Sequence, residues 1–345
     1  MELRCWKRAC SILFSLALMS VVLSGCENAE TPIVSSPTIF TKQEIIIGHV
    51  YSDAHNVNKA CLEFEDYVEK QTGSALQVTI MPNSILGGNE NMLEMCALGN
   101  VTLVTPSLAT MEMYAPEWSI VSLPYLFSSA EQMYAALDGA LGDYLKATLE
   151  DTEYICLGFN SNGIRNMSNN VRPITKVEDL QGITMRVMNN ATYETWMKAL
   201  GANAVPMSFN DVFDALSQGI VQGQENSASL TYDAKFYEVQ TYYSITEHVY
   251  DMNAIICNRD FYEHLSPAEK EIFDYAISEY LIKHQRQMEA KENDMFIQLL
   301  ADSGMEINIL SAEVKEGFQE ALFEVYANSR ATLGDAVWAL VEKYQ

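Results

Sequence analysis

The sequence predicts an α/β protein of two domains, and three observations lead there. Strand-like and helix-like patterns alternate β-α-β-α-β over roughly residues 44–106, the order that gives a parallel sheet covered by helices. At 345 residues the chain exceeds the usual size of one domain. A helical period that opens at Ser266-Pro267 continues to Gly304, about 37 residues or roughly 55 Å at the α-helical rise, too long for one small domain. Hydrophobic residues make up 48% and aromatics 10%, enough for sizeable cores and against disorder.

In chain order, residues 1–26 read as a targeting segment. Arg4, Lys7 and Arg8 precede an apolar run from Ile12 to Leu23 that is too short to span a bilayer. It ends in Leu23-Ser24-Gly25-Cys26, similar to the lipobox of bacterial lipoproteins, with Cys26 as the expected lipidated mature N-terminus. The competing reading is an ordinary signal peptide with an incidental cysteine. Residues 27–43, rich in Ser, Thr and Pro, read as a flexible tether.

EIIIGHV (44–50) has the β-branched character of a first strand. Val57, Ala60, Cys61, Phe64 and Val68 then recur at helical spacing up to Gly73. LQVTIM (76–81) is a second strand broken by Pro82-Asn83. Met92, Leu93 and Cys96 mark the next helix, and VTLVTP (101–106) a third strand. Ser128 and Glu131 resemble a capping box. YICLGF (154–159) is a buried strand leading to a crossing between domains near 160–165. ITMRV (183–187) is a short buried strand. Asn210 is expected to cap a helix ending at Gly219, GIVQGQEN (219–226) to be a strand, MEINIL (305–310) the last strand, and 312–343 helical.

The net charge of −25 excludes nucleic acid as a partner and repels anionic ligands at long range. A carboxylate site would therefore need concentrated local positive charge. Arg165 and Arg186 stand in one short, apolar, β-prone stretch, where a guanidinium is costly without a partner. An arginine at the end of a strand such as ITMRV can offer its planar fork to a carboxylate in a cleft. It can equally make an internal ion pair with one of the chain's many acids, and the residues alone leave both open. Ligands of open α/β sheets bind beyond the carboxyl ends of the strands. His49, Tyr51, Asn89 and Ser107 are thus candidates for one cleft wall, with strand-end packing as the alternative for His49 and Tyr51. Cys61, Cys96, Cys156 and Cys257 are too widely spaced for a metal or redox motif and read as buried thiols. The five histidines show no metal-ligand spacing, so neither metal nor cofactor is expected.

The stretch from Asn160 to Asn226 resembles the solute-binding proteins of TRAP (tripartite ATP-independent periplasmic) transporters, which capture organic acids. The likeness rests on GIR (163–165), the PI-T-x-x-DL-x-G-x-x-x-RV pattern (173–187), LGA (200–202), PMSF (206–209) and DVFDALSQGIVQGQEN (211–226). LGGNE (86–90), SLPYLF (122–127), AKFYEVQ (234–240), TEHVYD (246–251) and LSPAEKEIF (265–273) extend it over most of the chain. The resemblance implies a two-lobed periplasmic-binding-protein-like fold, each lobe a sheet flanked by helices, with a long helix spanning both. Lobe I would comprise 44–162 with about 252–290, and lobe II 163–251 with about 291–345.

It further implies that Arg186 holds the ligand's carboxylate, with Arg165 as a second positive charge, and that Asn226, Asn189 and Phe209 line the same pocket. Arg165, Glu225 and His248 would sit together at the interdomain cleft as a supporting cluster. Where sialic-acid binders of the family contact the sugar, this chain has Val50, Asn89 and Ser107, which points to a smaller acid: a C4-dicarboxylate, a 2-oxo acid or a hexuronate. The implied function is capture of a small organic acid by hinged closure and delivery to TRAP-type permease subunits, by a monomeric, lipid-anchored, extracytoplasmic protein. Two rival classes are an extracytoplasmic enzyme, for which no nucleophile or metal motif is present, and a sensory lipoprotein.

Overall fold

The computed structural model describes residues 40–345; the leader, the lipobox with Cys26 and most of the tether lie outside the described residues. The folded body starts slightly earlier than the tether boundary at residue 43, because the Thr41 amide donates to Glu269 Oε1 (3.1 Å) and β1 begins at Gln43. Among the described residues nine strands form one mixed sheet: β1 (Gln43–Gly48), β2 (Leu76–Met81), β3 (Leu103–Val104), β4 (Tyr154–Asn169), β5 (Thr184–Val187), β6 (Asn203–Pro206), β7 (Gly223–Ser227), β8 (Tyr242–Asn258) and β9 (Glu306–Ile309). Their order is β2-β1-β3-β8-β4-β7-β5-β6, with β9 paired to β8.

The expected parallel pairing holds at the two ends, where β1 pairs with β2 and β3, and β5 with β6 and β7. Between them β3, β8, β4 and β7 pair antiparallel, while β9 joins β8 in parallel. β4 and β8 run side by side along nearly their whole length, and β8 and β4 pair antiparallel with β3 and β7 respectively. At about 3.3 Å per residue these two strands are each over 50 Å long and stitch the two parallel ends together. β4 thus runs well past the expected YICLGF segment and carries Arg165 within it. The third strand, by contrast, is only two residues of the expected six.

The β4–β8 ladder is interrupted by irregularities at Cys156/Gly158, Ser161/Gly163 and Arg165/Met167. A break of this kind frees backbone groups that must find other partners. At Ser161 the buried Gln285 side chain supplies both, accepting from the Ser161 amide and donating to its carbonyl, each at 2.8 Å. Gly163 has φ +81, and a Cβ there would lie 2.5 Å from Glu289 Oε1 and 2.7 Å from Ser227 Cβ. Only glycine fits the bend.

Gln285 and Glu289 belong to the long helix. It runs from Pro267 to Asp302, about 54 Å, with Ser266 and Glu269 forming the capping box and Pro267 at the first position. Its middle, Ile277–His284, is wound as a π-helix, which the apolar periodicity did not reveal. Two other helix starts differ from expectation. Ser129, not Ser128, caps the helix Ala130–Leu137 by accepting from the Gln132 amide, since two adjacent serines satisfy the same pattern. Asn210 lies inside a 3-10 turn, Phe209–Asp211, and bonds the Asp211 side chain instead of capping. One large core cluster spans both ends of the sheet, with smaller ones around Val212–Phe236 and Tyr243–Met305. The four cysteines Cys61, Cys96, Cys156 and Cys257 are buried free thiols. No described helix is long and apolar enough to cross a membrane, and no group of metal-ligating side chains occurs among the described residues.

Candidate functional site

The carboxyl ends of β1, β3 and β5 converge on one cavity, joined by the start of helix α2 (Asn89–Ala97; α1 is Asn56–Thr72) and by β4 and β7. Tyr51, Asn89 and Ser107 line one side. Arg186, Asn189, Phe209 and Asn226 line the other, and Arg165 also lies on its wall. All seven expected ligand-contacting residues are therefore brought together. His49 is not among the lining residues: it is buried, bonded to Asn58 (3.2 Å), and burial lowers its pKa to about 4, so strand-end packing describes it. The space is narrow, with about 30 Å³ open to the centre of a water-sized sphere, enough for about two waters.

The two arginines are in opposite electrostatic states. Arg165 is 1% exposed and surrounded by acceptors. Its Nε donates to Glu225 Oε2 (2.5 Å), Nη2 to Glu225 Oε1 (2.8 Å) and to the Glu225 carbonyl (2.6 Å), and Nη1 to Asp251 Oδ2 (2.8 Å). Tyr193 stacks 5.7 Å from the guanidinium. Burial alone would lower its pKa, but Glu225, Tyr193 and Asp251 outweigh burial and hold it well above the ordinary value. Glu225 responds in kind: burial opposes its ionisation, yet Arg165 and His248 hold it down at about 2.

His248 completes the expected cluster, with Nε2 3.2 Å from Glu225 Oε2 and Nδ1 2.8 Å from the Thr246 hydroxyl. Burial lowers its pKa more than Glu225 raises it, so the imidazole is neutral at neutral pH. A carboxylate acceptor on one side assigns the ring proton to Nε2 and leaves Nδ1 to accept from Thr246.

Asp251 is the member that sequence reasoning missed. It accepts from Arg165, from Asn162 Nδ2 (2.8 Å), from the Ser107 hydroxyl and from the Met252 amide. Burial pushes its pKa up against the pull of Arg165 and Asn162. Its only sequence signal is its place at the end of TEHVYD. Tyr51 is tied to the same layer, its hydroxyl 2.7 Å from Asn162 Oδ1 and 2.9 Å from Asn253 Oδ1. Glu90, beside Asn89 on the cavity wall, was also not anticipated; it accepts from the Ser208 hydroxyl at 2.9 Å.

Arg186 is almost as buried, at 2% exposure, but makes no ion pair among the described residues. Nε and Nη2 both donate to the Met207 carbonyl (3.0 and 2.7 Å), and Nη1 has no partner. Burial lowers its pKa to about 10, with Glu225 and Glu90 opposing and Arg165 adding to the effect. A guanidinium at that value is still charged at neutral pH. The internal ion-pair reading thus describes Arg165 and does not describe Arg186.

A larger hollow, about 310 Å³ by the same measure, lies between the helix Ala130–Leu137, the β4–β8 pair and the long helix. Its carboxylate lining is Glu131, Asp251, Glu289 and Asp294, with no cation, which disfavours an anion there. The chemistry is in the narrower space.

A mixed α/β sheet whose strand ends enclose a polar cavity around a buried, uncompensated arginine defines a solute-binding protein of the two-lobed periplasmic type. Residues 47–332 match the family described as bacterial extracellular solute-binding protein, family 7, known as DctP, and the chain belongs to it. It is 30% identical over 311 residues to the C4-dicarboxylate-binding periplasmic protein DctP of Rhodobacter capsulatus, covering 90% of this chain and 93% of the relative. The crystal structure of the sugar acid binding protein DctPAm from Advenella mimigardefordensis, in complex with galactonate, superposes with a TM-score of 0.85 at 29% identity. That match covers 89% of this chain and all of the other. A TRAP periplasmic solute-binding protein from Sulfurospirillum deleyianum with bound succinate gives 0.83 at 28% identity, covering 89% and 99%.

Proposed function

We propose that this chain captures a small organic carboxylate outside the cytoplasm and hands it to TRAP-type permease subunits. The observation that carries the reading is Arg186: a buried guanidinium with an unpartnered Nη1 in a cavity, which an incoming carboxylate would complete through two parallel hydrogen bonds. Asn226, Asn189 and Phe209 would flank the bound acid, with Asn89 and Ser107 facing them. Arg165 would serve chiefly to hold the wall in place, because Glu225 and Asp251 already occupy its fork. The relatives' bound galactonate and succinate support a carboxylate.

The two lobes, divided near residues 162, 251 and 290, would part to admit the ligand and close over it, since a space for about two waters admits no organic acid as it stands. The protein would act as a monomer and a binder, not an enzyme. A screen of organic acids by thermal shift, with mass spectrometry of the recovered acid, tests this. Binding at 100 times Kd should add about 2.7 kcal/mol to stability, with the acid unchanged. No stabilisation by any carboxylate, or conversion of the acid, defeats the reading. The lipid anchor at Cys26 has its own test: a Cys26→Ser chain should leave the membrane fraction after export, and persistence there rejects lipidation.

A further inference from the structure

We propose that Glu112 and Asp233 are latches across the cleft: positioning residues that hold the two lobes together by direct contact and thereby set how long a captured acid stays. The inference rests on the hinged closure proposed above and adds what governs release.

Each carboxylate bridges the division drawn at residues 162 and 251. Asp233, at the end of the helix Ala228–Asp233, accepts from the Ser52 amide (2.9 Å) and from the Ser52 hydroxyl, which lie just past β1 in the other lobe. Glu112, in the 3-10 turn Leu108–Met113, accepts from Asn190 Nδ2 at 2.6 Å. The same amide group donates to the Ala109 carbonyl (2.6 Å), while Asn190 Oδ1 caps the helix Ala191–Ala199 by accepting from the Tyr193 amide. Both contacts leave directly from the cavity rim. Ser52 follows Tyr51 and Asn190 follows Asn189, two lining residues on opposite walls, yet none of Ser52, Glu112, Asn190 and Asp233 lines the cavity itself.

The chemistry of these contacts suits a latch. A carboxylate that accepts from a neutral donor makes a charge-assisted hydrogen bond, roughly twice as strong as a neutral one. Glu112 and Asp233 are half-buried where the lobes meet. With the lobes parted, the carboxylates and their donors return to water, so the contribution of each bond belongs to the closed state alone. No ligand atom takes part, and the contribution is therefore the same for every acid. Apparent affinity scales with the closed fraction, and a ligand leaves only through the open form, so a latch lengthens residence without slowing entry. Electrostatics alone gives the opposite sign. In a chain of net charge −25, deleting a negative charge near the site would speed the arrival of an anion and tighten its binding.

Stopped-flow binding of succinate and galactonate to the full mature chain tests this. Glu112→Ala and Asp233→Ala should each release a bound acid about tenfold faster, with association unchanged or slightly faster. The ligand-free unfolding midpoint should stay within about a degree or two of the parent. The double variant should release about a hundredfold faster, since the two contacts share no partner. Glu112→Gln keeps an acceptor for Asn190 and should restore most of the residence time. Release rates unchanged in the alanine variants overturn the proposal, as does a loss of affinity confined to association; if one variant does not fold, the other decides. Binding of neither acid by the unaltered protein removes the carboxylate reading and leaves the latch to small-angle scattering of the ligand-free chains. There the double variant should show the larger radius of gyration, and an equal radius overturns the proposal.

Discussion

Arg165 and Arg186 lie 21 residues apart in sequence, on neighbouring parts of one sheet, and both are shielded from water. One is enclosed by two carboxylates and a carbonyl; the other has a single carbonyl and an empty donor. Burial taxes both charges equally, so the difference lies in what compensates them. Where compensation is built into the chain, the charge braces the fold. Where it is withheld, the protein keeps a standing demand for an anion. In a chain of net charge −25, withholding it at one point makes that point selective, because the long-range field draws no anion anywhere else.

The sharpest test of the contrast is Arg165→Ala. It strands Glu225 and Asp251 in the interior and should cost about 3–5 kcal/mol of stability, lowering the unfolding midpoint by about 10 °C. A midpoint within a degree or two of the parent would break the comparison. Arg186→Ala should do the reverse, weakening ligand binding about 30- to 5,000-fold, or about 2–5 kcal/mol, while leaving the ligand-free protein as stable or slightly more so. Arg186→Lys should recover little of the affinity, since it keeps the charge and loses the fork. Calorimetry beside ligand-free unfolding separates the two roles. Collapse of the ligand-free Arg186→Ala protein would make both arginines structural.

Acid should act on the Arg165 side. Glu225 has its folded pKa depressed to about 2 from 4.5, so its contribution is fully present above about pH 4.5 and is lost as pH falls toward 2. It is on the order of 3 kcal/mol. Asp251, raised by burial, works in the opposite sense and offsets part of that loss. Denaturant unfolding at pH 6 and pH 3 should show a shallower pH dependence in Glu225→Gln than in the parent, and equal slopes would remove Glu225 from the account. The smallest expected effect is on shape: saturation with a bound acid should reduce the radius of gyration seen by small-angle scattering. An unchanged radius would mean that the ligand-free protein is already closed.

Much of this was legible in the sequence, for reasons that differ residue by residue. Asn89 and Ser107 could be set on one wall because a β-α-β order sends strand ends to one edge; the residues left Arg186 open between a ligand contact and an internal ion pair, and resemblance to a family put it in the pocket with Asn189, Phe209 and Asn226. Resemblance also supplied the pairing of Glu225 with His248; nothing in their spacing does. Asp251 was missed because it meets Arg165 across the β4–β8 ladder, 86 residues away, and antiparallel register over such a loop leaves no local mark. Glu90 was hidden by its position: an acid in the first turn of a helix is ordinary there, and only the cavity shows what it faces. The parallel ends were readable from alternation, while the long antiparallel middle was not, since β4 and β8 carry polar residues at many buried positions that side-chain networks satisfy.

The four buried thiols give the chain a built-in reporter of its own opening. Burial pushes Cys61, Cys96 and Cys156 up to about 12 and holds Cys257 well above its ordinary value, and it is the thiolate that reacts with alkylating and oxidising agents. In the native protein these sulfurs are out of reach and almost wholly protonated, so modification waits for the surrounding strands and helices to separate. Cys156 and Cys257 lie on β4 and β8, and Cys61 and Cys96 on α1 and α2. The rate at which each is labelled therefore reads the local opening of its own element, with no probe introduced. In an oxidising compartment the same fact sets a race: the chain must bury its sulfurs before they find one another.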